Sequence, residues 1–380
     1  MLRLAVDLTS LLTPRTGVGV LAHELTIRLA SRADLAVTAF AVTLRGRGAL
    51  GEAVPPGVRV VSRPLPARPL RAAWSRSDHP RIDHWIGRHD VVFGPNFVVP
   101  PTRAGALVTV HDLSFVHFPR LATPSALAYP RLIRRALARG AWVHTSSDFV
   151  RTEIIEHFGA EPTRVTAIPP GVRVTPPGDP APGRRLAGTE RYVLAIGTVE
   201  PRKDLPRLVR AFDAVAAEHP DVRLVIAGPD GWGADALGDA IDAARHAARV
   251  VRLGWVSDPD REALLRGATV YAYPSIYEGF GFPPLEAMTA GAPVVATSAG
   301  SLPEVCRNGA DLVPPGDTDA LAAALDRALH DEEHRRSLVA RGRAVAATYS
   351  WDATAERFVA LAERVAADRA GRAGRADRAG

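Results

Sequence analysis

The densest run of chemically capable residues is Tyr277-Glu278-Gly279-Phe280-Gly281-Phe282-Pro283-Pro284-Leu285-Glu286-Ala287-Met288. An apolar strand-like segment ends near Tyr273, and a helix is expected to open near Pro283, because proline is tolerated in a first helical turn. Gly279 and Gly281 let the backbone approach a ligand closely. A helix N-terminus presents N–H groups and a partial positive charge, so an anion is a natural ligand there. Glu278 falls in the loop and Glu286 about one turn inside the helix, placing two carboxylates around an anion-friendly turn. The plainer alternative is a helix start whose acids merely complement the dipole.

A second run, Gly197-Thr198-Val199-Glu200-Pro201-Arg202-Lys203-Asp204, also follows a strand and precedes a helix. A glycine turn with adjacent Arg and Lys suits a diphosphate. Among 47 Lys and Arg residues, Lys203 is the only lysine, which singles out this position. The alternative is a surface cation near a helix start, where the dipole disfavours it slightly. A third run, Val110-His111-Asp112-Leu113-Ser114-Phe115, puts His111 at the carboxyl end of a strand, where ligands collect in open α/β sheets. Asp112 would most simply orient His111, although a lone His-Asp pair is also a common structural hydrogen bond. The fourth run, Thr16-Gly17-Val18-Gly19-Val20, joins the first strand to the first helix, and a short Gly-x-Gly is a weak signal alone.

Other patterns carry less. Asp258-Pro259-Asp260 has the spacing of a metal-binding pair, but Ser257 before it and Glu262 after it read as a helix cap. No His/Cys cluster has zinc spacing, and no metal is expected. Cys306, the only cysteine, has no activating base nearby in sequence and reads as a packed thiol.

The elements that must position these residues alternate between short apolar runs and helical patterns, which implies parallel α/β sheets. In the first half, Leu4–Leu8, Leu35–Val42, Val58–Val61, Val91–Phe93, Leu107–Val110 and Ala141–Thr145 read as strands. His23–Ala30 and Asp148–Phe158 read as helices. A Pro/Gly/Arg-rich stretch interrupts the pattern, and a second alternation starts at Tyr192. The expected organisation is a domain over 1–168, a linker over 169–190, a second domain over 191–350, a helix over 351–367 and a disordered tail over 368–380.

Hydrophobic residues make up 47% and charged residues 23%, enough for two buried cores. The N-terminus reads as a strand rather than a signal peptide, and no apolar run reaches bilayer length. A cytoplasmic location is expected. The net charge of +6 is uneven: residues 1–175 carry 22 basic and 12 acidic side chains, whereas the remainder carries 25 and 29. The basic residues are scattered, without the aromatic interleaving that binds single strands, so nucleic acid is not expected. Tyr129–Arg139, with Arg131, Arg134, Arg135 and Arg139 among Leu132, Ile133 and Leu137, reads as a basic amphipathic helix. It is a candidate for reversible contact with an anionic membrane from its inner face, or else a solvated helix face.

The run Glu278 to Glu286, followed by Gly291-Ala292-Pro293-Val294-Val295-Ala296 and Gly300-Ser301-Leu302-Pro303-Glu304, resembles the Glu-x7-Glu region of retaining glycosyltransferases of the family 4 type. Pro201-Arg202-Lys203-Asp204 resembles that family's Pro-Arg-Lys-Asn stretch, with Asp204 in place of Asn. The resemblance extends over about residues 1–365. It implies the GT-B fold, two Rossmann-like domains facing a central cleft, with the last helix crossing back to the first domain. It implies transfer of a hexose, with retention, from a nucleoside diphosphate sugar to a glycan or lipid-linked acceptor, in polysaccharide biosynthesis. The His111 and Lys203 segments are most similar to bacterial mannosyltransferases of surface polysaccharide, making GDP-mannose the expected donor. Carried over by resemblance, Glu278 lies beside the reacting sugar and Glu286 binds the nucleotide ribose. Arg202 and Lys203, near Gly197, hold the diphosphate. Gly281 and Phe282 offer backbone N–H groups to the donor, His111 contacts the donor sugar, and the Gly17–Gly19 loop borders the donor phosphate. No cofactor beyond the nucleotide sugar is implied. Two other readings are another GT-B enzyme, such as an epimerase or phosphorylase, and a non-catalytic basic binding module.

Overall fold

The alternating apolar runs assemble into two compact units, Met1–Gly171 with Ser350–Gly380, and Val172–Tyr349. The computed structural model describes residues 1–12 and 17–379, with 47 and 373–379 described by backbone alone. Thr16 and Gly380 lie outside the described residues.

In the first unit the described strands are β1 (Leu2–Asp7), β2 (Leu35–Phe40), β3 (Arg59–Val61), β4 (Val91–Gly94), β5 (Gly105–Val110), β6 (Trp142–Thr145) and β7 (Val165–Ala167). They form one parallel sheet in the order β3-β2-β1-β4-β5-β6-β7. The second unit has β8 (Arg191–Ile196), β9 (Val222–Ala227), β10 (Val250–Gly254), β11 (Val270–Tyr273), β12 (Val294–Thr297) and β13 (Ala310–Val313). Their order, β10-β9-β8-β11-β12-β13, repeats the doubly wound pattern, again with parallel pairing. Parallel sheets are covered by helices on both faces, so central strands are apolar throughout. Thus Tyr192, Val193, Leu194, Val270, Tyr271 and Ala272 are all fully buried. Strand order reverses between β1 and β4, and between β8 and β11. Loops at the carboxyl ends of these strands form the ligand-binding crevice of such folds.

Several elements differ from expectation. The first helix begins at Gly17 and runs to Ala30, not from His23, so Gly17 and Gly19 lie in its first turn rather than in a loop. The helix Tyr129–Ala138 turns Leu132, Ile133 and Ala136 into the core. Its arginines are also engaged: Arg131 donates to the Ser75 carbonyl, and Arg135 pairs with Asp78 at 2.6 Å. Its apolar face is therefore spent on folding and is not free to enter a bilayer. Among the described residues no helix is long and apolar enough to cross a membrane.

The stretch 169–190 is not a bare linker. It contains a helix, Ala181–Ala187, ended by left-handed Gly188. This helix packs so tightly that a Cβ on Gly183 would meet the Ala263 carbonyl oxygen at 2.0 Å. The final helix, Trp351–Ala379, belongs to the first unit. Phe358 packs with a tilted ring at 4.6 Å against Phe93 of β4, and a Cβ on Gly105 would meet Val365 at 2.6 Å. The expected disorder of 368–380 is replaced by helix to Ala379. Ala and Arg are strong helix formers, and Asp368 ties the segment down through Arg164 at 3.1 Å and Arg372 at 3.3 Å.

Candidate active site

In the second unit, the two richest sequence runs meet at the switch point. Gly197–Asp204 follows β8, and Pro274–Gly281 follows β11. Gly228, after β9, allows the first of these loops to fold closely, since a Cβ there would lie 2.0 Å from the Gly197 carbonyl oxygen. Pro201–Lys203 forms a single 3-10 turn, and Asp204 takes a left-handed conformation at φ 45° and ψ 40°. Asn and Asp are the non-glycine residues that best tolerate that region. Asp204 also accepts from Arg207 Nε at 2.5 Å, so the exchange of Asn for Asp is accommodated by an ion pair.

The turn brings Arg202 and Lys203 onto one carboxylate. Lys203 Nζ lies 2.7 Å from Glu278 Oε1, and Arg202 Nη1 lies 2.7 Å from Oε2. Tyr273, the last residue of β11, donates its hydroxyl to Glu278 Oε1 at 2.8 Å and also meets Lys203 Nζ. Its ring centroid is 4.4 Å from Nζ, within cation–π range. Arg202 further donates to the Tyr277 carbonyl at 2.8 Å and pairs with Glu200 at 2.7 Å. Glu278 is only 6% exposed. Burial would raise its pKa, but the charges of Arg202 and Lys203 outweigh burial and hold it well below the usual carboxylate range. Burial acts in the opposite sense on Lys203, lowering its pKa, while Glu278 partly restores it.

The loop carrying Glu278 is braced from behind. Ser301 Oγ donates to the carbonyls of Glu278 at 3.1 Å and Phe280 at 2.8 Å. Gly300 passes so close that a Cβ would meet the Glu278 carbonyl at 2.3 Å. Gly281, left-handed at φ 104°, starts the helix Phe282–Ala290. Glu286 sits in that helix and pairs with Arg261 of the helix Asp258–Gly267. The latter helix is capped by Ser257, which accepts from Asp260 N at 3.3 Å, so Asp258-Pro259-Asp260 is a helix start. Among the described residues no three His, Cys, Asp or Glu side chains gather as a metal site. Cys306 is buried, and burial pushes its thiol up to about 12.

In the first unit, His111 follows β5. Its Nε2–H donates to the Pro95 carbonyl at 2.7 Å, and Phe97 packs edge-on at 5.3 Å. Burial lowers its pKa, favouring the neutral ring with Nδ1 as acceptor. The orienting role expected of Asp112 is not observed. Its carboxylate accepts from Ser114 N at 2.8 Å and Ser114 Oγ at 2.6 Å, closing a local turn, and Pro95 fixes the imidazole instead.

Three participants escaped the sequence reading. Tyr273 looked like strand core. Glu200 stood inside a run already noted, between a glycine turn and two cations. Arg261 is one of many arginines, and nothing in the sequence distinguishes it.

Residues 15–176 match the family model described as Glycosyltransferase Family 4, and residues 182–345 match that of Glycosyl transferases group 1. O-antigen chain mannosyltransferase B of Escherichia coli is 33% identical over 303 residues, covering 76% of this chain and 78% of that protein. Sucrose-phosphate synthase from Thermosynechococcus elongatus superposes with a TM-score of 0.75 at 21% identity, covering 97% of this chain and all of that one. Anabaena HepE, solved in complex with UDP-glucose, superposes with a TM-score of 0.68 at 18% identity, over 97% and 99% of the two chains. With both family models in sequence order and a relative at this level of identity, the chain belongs to the family 4 (group 1) glycosyltransferases and has their GT-B fold of two parallel-sheet Rossmann-like domains.

Proposed function

We propose that this glycosyltransferase moves a hexose, mannose from GDP-mannose, with retention, onto a hydroxyl of a glycan or lipid-linked acceptor. The observation that carries the reading is the joining of Arg202, Lys203 and Glu278 in one buried network at the switch point. Departure of the nucleoside diphosphate builds negative charge. Two fixed cations in a partly water-excluded turn stabilise such charge without reorganisation. A metal ion has no assigned role because these side chains supply the positive charge.

Glu278 is a poor general base, since three donors hold it ionised. Its role is electrostatic, keeping both cations in place and offering negative charge to the oxocarbenium-like sugar. The C1–O bond to the diphosphate breaks, the acceptor oxygen forms the new C1–O bond, and the acceptor proton passes to the departing phosphate. Glu286 accepts from the ribose hydroxyls, the first turn of Phe282–Ala290 faces the donor, and His111 offers Nδ1 to a sugar hydroxyl. The mannosyl assignment draws on the name of the Escherichia coli relative. UDP-glucose is the competing donor, because HepE was solved with it. The basic first half suits a lipid-linked acceptor at the inner face of the membrane, met through charge rather than through an inserted helix.

The test is a panel of nucleotide sugars incubated with and without candidate acceptors, followed by NMR of the anomeric proton in the product. Transfer of mannose from GDP-mannose in the donor's anomeric configuration supports the reading. An inverted product overturns retention. Isomerised donor formed without acceptor shifts the assignment to an epimerase.

A further inference from the structure

Four arginines of the first unit, two from its N-terminal part and two from the final helix, line one cavity. A cavity of about 310 Å³ opens at the amino ends of β5 and β6, the sheet edge opposite to the one that carries His111. It is lined by Arg81, Arg139, Arg369 and Arg372, with Asp78 and Asp368 as the acidic members.

Both carboxylates are already shared between cations. Asp78 holds Arg135 at 2.6 Å and Arg139 only at 3.5 Å. Asp368 divides itself between Arg164 at 3.1 Å and Arg372 at 3.3 Å. Arg369 donates its Nε to the Arg103 carbonyl, which carries no charge to offset it. The Arg81 carbonyl accepts from His84 N at 3.3 Å, but its guanidinium has no hydrogen-bond or ion-pair partner among the described residues. Arg139 Nη1 is buried without a hydrogen bond. Burial also works against the Arg139 charge, lowering its pKa. Arg139 also donates Nη2 to the Val99 carbonyl at 3.4 Å, so this part-buried cation is held by two long contacts and gains from a closer anion.

The cavity wall is shaped for a guanidinium. Gly140 is left-handed at φ 83°, and a Cβ there would meet Arg372 Nη1 at 2.6 Å. The left-handed backbone favours glycine here, and Arg372 Nη1 occupies the space a side chain would take. The result is several planar N–H forks around one space with net positive charge, and that geometry matches phosphate oxygens.

We propose that this cavity binds a phosphate-bearing anion through Arg81, Arg139, Arg369 and Arg372, at a site separate from the donor site of the second unit. The shared chemistry is a phosphate group, carried either by a soluble molecule or by the headgroup of an anionic lipid. The proposal does not depend on the identity of the sugar donor.

The probe is inorganic pyrophosphate, titrated calorimetrically into the full chain carrying Arg202→Ala and Lys203→Ala, which removes both cations of the donor site. Adding Arg81→Ala and Arg372→Ala is expected to weaken the remaining binding at least tenfold. Arg81→Gln alone, at a side chain with no partner to lose, is expected to weaken it about threefold with an unchanged thermal midpoint. A second arm is co-sedimentation with phosphatidylglycerol and phosphatidylcholine vesicles at low and physiological salt. A tenfold loss of phosphatidylglycerol binding in the Arg81→Ala, Arg372→Ala chain identifies a lipid phosphate as the ligand. A loss for pyrophosphate alone identifies a soluble one. If both the pyrophosphate affinity and the vesicle binding are the same with and without these arginines, the proposal is wrong.

Discussion

Glu278→Gln replaces one carboxylate oxygen by an amide NH2 at the centre of the buried network. The natural carboxylate accepts from Lys203 and Tyr273 and pairs with Arg202. Losing one partner of a buried ion pair costs about 3–5 kcal/mol. Arg202 keeps its pair with Glu200, and the two cations remain 21% and 13% exposed, so about 3 kcal/mol of stability is expected to go. Nucleotide binding should move the other way. Two unit charges about 6 Å apart at an effective dielectric of about 20 interact by roughly 3 kcal/mol, so Glu278 opposes a diphosphate bound at the same cations. With that charge gone but the cations less well anchored, nucleoside diphosphate affinity is expected to be unchanged or up to about tenfold tighter. Turnover is expected to fall at least about a hundredfold, because the charge facing the sugar is lost. Guanidinium unfolding, calorimetry with GDP and UDP, and steady-state kinetics read the three effects separately. Nucleotide affinity weakened more than threefold, together with near-normal turnover, would refute the division of labour between Glu278 and the two cations.

Three further outcomes are expected. Arg261→Met removes the partner of Glu286, so donor KM should rise about tenfold while kcat stays within about threefold; an equal fall in kcat with unchanged KM counts against ribose binding by Glu286. His144 is buried between Thr109 and Ile168, and burial lowers its pKa to about 4. The unfolded chain takes up this proton near pH 6.5 and the folded chain only near pH 4, so stability is lost as pH falls through that window. The loss is about 2 kcal/mol between pH 7 and pH 5, and His144→Gln should flatten this part of a pH series of denaturant midpoints. Activity should persist in excess EDTA, and abolition by EDTA with recovery on adding Mg²⁺ or Mn²⁺ would reopen the question of a metal.

Much of the second unit was legible because its strands are continuous apolar runs bounded by glycine and proline. The alternation expected from Tyr192 begins with β8 at Arg191, and the strand end expected near Tyr273 is the end of β11. The short edge strands Val165–Ala167 and Ala310–Val313 went unread, since three or four residues cannot establish a period and Asp311 breaks the second run. The helix start at Gly17 was missed because two glycines in three residues argue for a loop, and tertiary packing of Leu21 and Leu25 overrides that weak preference. At the site, sequence could show that Arg202, Lys203 and Glu278 each suit a phosphorylated sugar. It could not show that they touch one another, because 75 residues separate Lys203 from Glu278 and only the β8–β11 pairing closes that distance. The role given to Asp112 failed for a local reason: an Asp two residues before a Ser closes a turn on that Ser more readily than it reaches back to its neighbour. The first-half charge suggested a binding surface, yet the helix that seemed to carry it spends its apolar face on the core. With the family established, a non-catalytic basic binding module no longer describes the chain.

The central claim is that the nucleoside diphosphate departs against Arg202 and Lys203. It is tested most directly by measuring kcat/KM for release of nucleoside diphosphate in the wild type, Arg202→Ala and Lys203→Ala, with folding checked by thermal unfolding. The predicted result is a fall of at least about a hundredfold in each variant, the loss expected when a positioned charge is removed from a developing anion. Near-normal kcat/KM in either folded variant would contradict the account.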